Sequence, residues 1–180
     1  IKIIDENIIP ALDIVGKGFE AKTMFLPQLL MSAEAAKCAF EEIKKAVPVS
    51  ENERKFPVVL ATVRGDIHDI GKNIVRLLLE NYGYDVLDLG KDVPPETVLQ
   101  EVIRAKAPLC GLSALMTTTV PAMEETVSMI KKKAPFCRVI VGGAVLTKEY
   151  AEKIGADAYS KDAMETVRYA EKLNREIRCV

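Results

Sequence analysis

Between Leu26 and Val47 apolar residues return every three or four positions, at Leu26, Leu29, Leu30, Ala33, Ala36, Phe40, Ile43 and Val47, with Glu34, Lys37, Glu41 and Lys44 between them. That spacing lays one apolar stripe along a helix. Pro27 suits the first turn of such a helix, and Pro48 is expected to stop it. A shorter apolar helix is expected around Pro10–Val15, ended by Gly16-Lys17-Gly18. Together these read as the remnant of a small helical bundle over 1–47, truncated at its N-terminus. The polar, charged stretch 48–56 reads as a linker.

From Pro57 the rhythm changes to strand, turn and helix, repeated. Apolar runs at Pro57–Val63, Tyr84–Leu89, Leu109–Ala114, Arg138–Val141 and Ala156–Tyr159 predict strands. Helical periodicity follows each, around Asn73–Asn81, Glu96–Ala105, Ala122–Lys133, Thr147–Ile154 and Ala163–Asn174. Asp162 and Glu165 have capping-box spacing at the start of the last helix. Short β-rich runs alternating with helices predict a parallel sheet covered on both faces. Five such units favour a flavodoxin-like, doubly wound α/β domain over 57–180. In that fold ligands sit beyond the carboxyl ends of the strands, near the point where strand order reverses. The loops after the strands are therefore where function is sought.

Composition narrows the picture. At 180 residues the chain has room for one ordinary domain and a small companion, and 49% hydrophobic with 28% charged residues is a soluble globular balance. A net charge of −1 with both signs interspersed offers no basic face for nucleic acid or a membrane surface. The longest apolar runs fall short of a membrane span, and no secretory leader is read at the start. Cys38, Cys110, Cys137 and Cys179 lie far apart without a CxxC pair, so they are expected to be reduced thiols of a cytoplasmic protein. The chain opens at Ile1, without Met, inside an apolar stretch, which suggests a module whose partner domains are out of view.

The loop after the first strand, Gly65-Asp66-Ile67-His68-Asp69-Ile70-Gly71-Lys72-Asn73, holds the one histidine of the chain. Asp66 and His68, two apart, can set a carboxylate against one imidazole nitrogen and leave the other free for a ligand. That arrangement fixes and activates a metal-binding histidine. Gly71 would let a bulky ligand pass close to the backbone at a helix start. A P-loop needs four residues between its glycine and Gly-Lys, followed by Ser or Thr; here five intervene and Asn73 follows. No GxGxxG is present. A phospho-acceptor receiver would want an aspartate ending the third strand, where Leu112-Ser113-Ala114 stands. Zinc lacks ligands. A surface histidine merely capping the helix stays open on these residues alone.

Asp66, His68 and Gly71 in Asp-x-His-x-x-Gly resemble the signature of cobalamin-binding domains, with Ser113-Ala114-Leu115 resembling the family's Ser-x-Leu and Gly142-Gly143 its Gly-Gly. The helical stretch from Phe19 through Leu29 resembles the cap of methionine synthase, and DIHDIGKN, GLSALMTTT and IVGGA look nearest to that enzyme family. Adenosylcobalamin mutases lack such a cap. Methanol and methylamine corrinoid proteins have a comparable bundle and are the closest alternative; a cobalamin-dependent sensor is another. The resemblance implies a methyl carrier holding methylcobalamin, working with homocysteine- and methyltetrahydrofolate-binding modules and a reductive reactivation partner. It implies that His68 is the lower axial cobalt ligand and that Asp66 accepts its other ring proton. Thr119, where the family usually has serine, would complete a proton relay. It further implies that Gly65, Ile67, Asp69 and Gly71 line the loop, and that Ser113, Leu115 and Thr117 meet the nucleotide tail. Gly142 and Gly143 would leave room for that tail, and Tyr159 and Ala163 would close its far side. Phe19, Leu26 and Leu29 would lie over the methyl group, and Asp5 aligns with an acidic position that contacts the cofactor.

Overall fold

A computed structural model describes residues 7–46 and 55–178. Asp5 and all but the last two residues of the expected linker lie outside the described residues. Two helices come first, α1 (Ile9–Glu20) and α2 (Leu26–Ala46). Five strands follow: β1 (Pro57–Thr62), β2 (Asp85–Asp88), β3 (Leu109–Ser113), β4 (Arg138–Gly142) and β5 (Ala158–Ser160). They are joined by α3 (Ile70–Asn81), α4 (Pro95–Ala105), α5 (Val120–Lys133) and α6 (Lys148–Lys153), and α7 (Ala163–Arg178) closes the described chain.

All pairings are parallel and the order is β2-β1-β3-β4-β5. This is the flavodoxin-like doubly wound order expected from the alternation, with its reversal between β1 and β3. Strand side chains alternate between two apolar layers because successive Cβ atoms point to opposite faces. Val59, Ala61, Cys110, Leu112, Val139 and Val141 pack against α4, α5 and α6 residues such as Val98, Met123 and Ala151. Val58, Leu60, Leu109 and Ile140 pack against α3 and α7 through Leu78, Leu79, Val167 and Ala170. A core strand buried on both faces reads as the unbroken apolar run seen in Pro57–Thr62, and each such side chain contributes about 1.5–3 kcal/mol by burial.

The second layer continues outward. Leu12 of α1 and Leu29, Ala33 and Ala36 of α2 belong to the same buried cluster as Leu78, Met164 and Leu173. The helical pair is thus part of the core on the α3/α7 side. This decides one departure from the sequence reading: α1 runs through Gly16-Lys17-Gly18 instead of ending there. A Cβ on Gly16 would lie 2.7 Å from Met164 Cε, so that glycine allows α1 to press on α7 rather than breaking the helix. The capping spacing at α7 is realised, with Glu165 N–H donating to Asp162 Oδ1 at 2.9 Å and Lys161 N–H to Glu165 Oε2 at 2.6 Å.

Candidate functional site

The chain leaves β1 through a turn in which Asp66 N–H donates to Val63 O at 3.1 Å and Gly65 takes φ +85°. The turn folds the Asp66 side chain inward, where it is fully buried. Its Oδ1 accepts His68 N–H at 3.0 Å and His68 Nδ1 at 2.9 Å. Its Oδ2 accepts Leu115 N–H at 2.6 Å, Met116 N–H at 3.2 Å and the Thr119 hydroxyl at 2.9 Å. Burial by itself would raise this carboxyl. The donors, led by the His68 and Leu115 amides and joined by the His68 ring and Thr119, outweigh it and hold Asp66 well below the usual carboxylate range.

A carboxylate can only accept, so Nδ1 is the donor in this contact, and in the neutral ring Nε2 is the nitrogen with a lone pair for a ligand. The imidazole side chain is 47% exposed and faces outward from the loop. One oriented imidazole is what the site offers a metal: among the described residues no group of three or more His, Cys, Asp or Glu could hold an ion by itself. A lone nitrogen donor suits a metal that brings its own equatorial chelate. Thr119, buried at the end of the short turn Thr117–Thr119, also has Met116 O within 2.8 Å, so its one proton is shared between two acceptors.

Beside His68 opens a cavity of about 620 Å³ running along the sheet face between α3 and α7. Ile67, His68, Asp69, Gly71, Ser113, Leu115, Gly142, Gly143, Tyr159 and Ala163, all singled out from sequence, line it. Leu60, Val75 and Ile140 line it too, and three of its glycines stand where neighbouring protein atoms leave no room for a Cβ. A Cβ on Gly111 would sit 2.6 Å from Leu60 Cδ2, and one on Gly142 would sit 3.1 Å from Ser160 O. At Gly143, with φ +141°, it would fall 1.8 Å from Ala114 O, so no other residue fits. Gly71 is different: a Cβ there meets nothing within 4 Å, so the room beside it is open to a ligand. Ser160 donates to Asp162 O at 2.5 Å, which leaves Thr166 as donor in their 2.7 Å hydroxyl contact.

A second hollow of about 540 Å³ lies between the helical pair and the start of α7, with Phe19, Met24 and Leu26 facing Glu165 and Arg168. Lys161 and Asp162 border both hollows. Not every expected residue comes to the site. Gly65 and Asp66 shape the loop from behind the cavity wall, and Thr117 is exposed outside it. Leu29, 1% exposed, packs inside the helical pair and lines neither hollow, because its stripe position faces α1 and α3. Sequence reasoning passed over Gly111, Ser160, Lys161, Asp162 and Thr166 as wall residues. The isolated glycine inside the third apolar run was a usable signal for close approach. The hydroxyl pair carried none.

Residues 57–168 match the family described as B12 binding domain, and residues 1–44 match a second family of the same description. The chain belongs to the B12-binding family. Dimethylamine corrinoid protein 1 of Methanosarcina acetivorans is 37% identical over 175 residues, covering 96% of this chain and 82% of the relative. Dimethylamine corrinoid protein 3 of Methanosarcina mazei is 38% identical over 162 residues, covering 88% and 97%. Among solved structures, the methanol:cobalamin methyltransferase complex MtaBC of Methanosarcina barkeri superposes with a TM-score of 0.83 at 32% identity, over 97% of this chain and 67% of the other. A cobalamin-binding protein of Desulfitobacterium hafniense DCB-2 gives 0.80 at 32% identity, over 89% and 77%.

Cobalamin is therefore the ligand that the lone imidazole and the cavity beside it fit. These relatives support the corrinoid-protein family and correct the nearer resemblance read from sequence: nothing in them supports methionine synthase or methionine biosynthesis. A signal receiver domain from Vibrio parahaemolyticus, 15% identical with a TM-score of 0.51, shares the fold alone. Among the described residues no helix is long and apolar enough to cross a membrane.

Proposed function

We propose that this chain is the methyl-carrying corrinoid protein of a methylamine- or methanol-type methyltransferase system. The observation that carries the reading is the His68 ring, held at Nδ1 by a buried carboxylate, beside a cavity of about 620 Å³ lined in part by Gly71, Gly111, Gly142 and Gly143. When bound, the cobalamin supplies a cobalt centre that takes up a methyl group and gives it to a nucleophile.

The chain's own residues do the rest. His68 Nε2 would hold the cobalt, and Asp66, bonded to Nδ1, would keep the ring in one orientation. Thr119 supplies a further donor to Asp66 and helps hold that carboxylate in place. The cavity that Ser113, Gly142, Gly143, Tyr159, Ser160 and Ala163 help to line would take the nucleotide tail. Phe19 and Leu26, which line the second hollow, would cover the bound group and keep water from it. For a methyl group held under that cover to reach a nucleophile, the helical pair would have to move aside, as lids do. The partner is a substrate-binding methyltransferase subunit, the kind of assembly named for the MtaBC relative, together with a reductase that restores the reduced cobalt.

The first test is spectroscopic. Wild-type protein should bind one cobalamin per chain, with the cofactor's own base off cobalt and a histidine nitrogen on it. His68→Gly should bind an equal amount and lose the nitrogen signature in the cob(II)alamin electron paramagnetic resonance spectrum. An unchanged free-cofactor spectrum with wild-type protein refutes the site. Methylation of the loaded protein from methyltetrahydrofolate, but not from methylamines or methanol with a cognate methyltransferase, would overturn the assignment to this class of system.

A further inference from the structure

The connection from β2 to α4 lines neither hollow, yet it grips the His68 loop at both ends. At the front, Gly65 N–H donates to Asp92 Oδ1 at 2.7 Å, and Asp92 N–H donates to Asp66 O at 3.0 Å. At the rear, Lys72 in the first turn of α3 is 4% exposed and donates to Asp88 Oδ1 at 2.5 Å. That oxygen also accepts Gly90 N–H at 2.9 Å. The connection is itself tied to the end of β1: Thr62 N–H donates to Gly90 O at 3.0 Å and Val93 N–H to Thr62 O at 3.1 Å.

Asp92 has φ 54°, in the left-handed region that non-glycine residues enter at a cost and that Asp and Asn tolerate best. A glycine would fill that conformation more easily but has no oxygen to offer Gly65. Gly65, at φ +85°, has its amide turned to the one acceptor that this geometry presents. The Gly65–Asp66 segment is therefore held by Asp92 on one side. On the other side the Asp66 carboxylate is held by Leu115, Met116 and Thr119.

We infer that Asp92 is a positioning residue for His68, a brace that sets the Gly65–Asp66 backbone before the cofactor arrives. With Asp88 and Lys72 fixing the start of α3, the loop between is strung across two anchored ends. Asp66 then meets the His68 ring without ordering being supplied by the cofactor, the sense in which a site is preorganised. The inference rests on the reading of His68 as cobalt ligand, and its test separates the two.

Three proteins decide it: wild type, Asp92→Asn, and Asp92→Gly. Asparagine keeps an accepting oxygen and tolerates φ 54°; glycine keeps the conformation and removes the acceptor. In the cofactor-free full chain, the Gly65 amide should exchange slowly in wild type and Asp92→Asn, and at least about tenfold faster in Asp92→Gly by local opening. In the cob(II)alamin form, Asp92→Gly should bind an equal amount of cofactor with a several-fold larger share lacking the histidine nitrogen signature, and Asp92→Asn should match wild type. Equal exchange and equal histidine-on share in Asp92→Gly and wild type overturn the brace. So does an Asp92→Asn variant that behaves like Asp92→Gly. If Asp92→Gly does not fold, wild type alone decides: a Gly65 amide exchanging like a free exposed amide overturns the inference. A wild-type protein that never shows histidine on cobalt removes the cobalt-ligand reading, while Gly65 exchange still judges the brace.

Discussion

Asp66 collects five donors on one buried carboxylate, and each has its own origin in the fold. Two come from His68, two residues along the same loop, and three from the segment that follows β3. Removing any one leaves an anion in an apolar setting with fewer partners, which costs more than the same loss at the surface. Thr119→Val keeps the shape and deletes the hydroxyl. Its expected cost is about 1.5–3 kcal/mol in urea unfolding, the range for a hydrogen bond to a charged group. Thr119→Ser, which keeps the donor, should lie within about 0.5 kcal/mol of wild type, as mild substitutions do. Equal stabilities of the valine and serine variants would show that the hydroxyl contributes nothing net to stability through either acceptor. The Asp-x-His spacing made the local half of this hub legible, because two residues in one loop must be neighbours. The Leu115 and Met116 amides were not legible: which backbone N–H groups face a carboxylate about fifty residues away depends on β1 and β3 being adjacent.

At the scale of elements, the far edge of the sheet is fastened by one acid. Asp157, at the entry to β5, accepts Val139 N–H at 2.6 Å and Arg138 Nη1 at 3.1 Å, and pairs with Lys131 of α5. Burial raises its carboxyl, but Lys131, the Val139 amide and Arg138 outweigh that and hold it below its ordinary value of 3.8. A depressed carboxylate contributes stability that is fully present above the unfolded-state value and is lost as pH falls through the folded one. Asp157→Asn should therefore cost about 1.5–3 kcal/mol near pH 7. The gap between variant and wild type should narrow as pH drops below 3.8. Thermal unfolding of both proteins across that range checks it; a gap constant with pH would mean that the variant acts by packing. The strands and helices themselves were legible, since their periods of 2 and 3.6 are local properties of the chain. The helix ends were less so: α3 begins at Ile70, three residues before the start expected at Asn73, and its first turn is tied to β2 by Lys72 and Asp88.

For the whole molecule, the helical pair and the α/β layer share one buried cluster, running from Leu12 and Leu29 through Met164 to Leu60. Opening the helical pair therefore exposes apolar surface and must be compensated, by a partner's contacts or by another apolar cover. Cobalamin bound between the two parts should tighten both at once. At a hundredfold excess over Kd, ligand linkage adds about 2.7 kcal/mol, read as one cooperative rise in melting temperature. Phe19→Ala should speed photolysis of bound methylcobalamin by loosening the cover over the upper face, while tail binding stays nearly intact. Equal photolysis rates would return Phe19 to a packing role alongside Leu29.

The sequence by itself determined the alternation of strands and helices, the parallel doubly wound sheet, and the loop carrying Asp66, His68 and Gly71. Each follows from patterns that close within a dozen residues. It also carried the glycine pair at 142 and 143, where backbone must come close to something. Only the tertiary structure decided that Gly16 lets α1 continue, that Leu29 is core, and that Gly111 makes room for the Leu60 side chain beside the cavity. The same is true of Asp92 reaching Gly65 from the neighbouring connection. These depend on which elements end up side by side, and adjacency is set by the packing of the whole sheet and its two apolar layers rather than by any local run of residues.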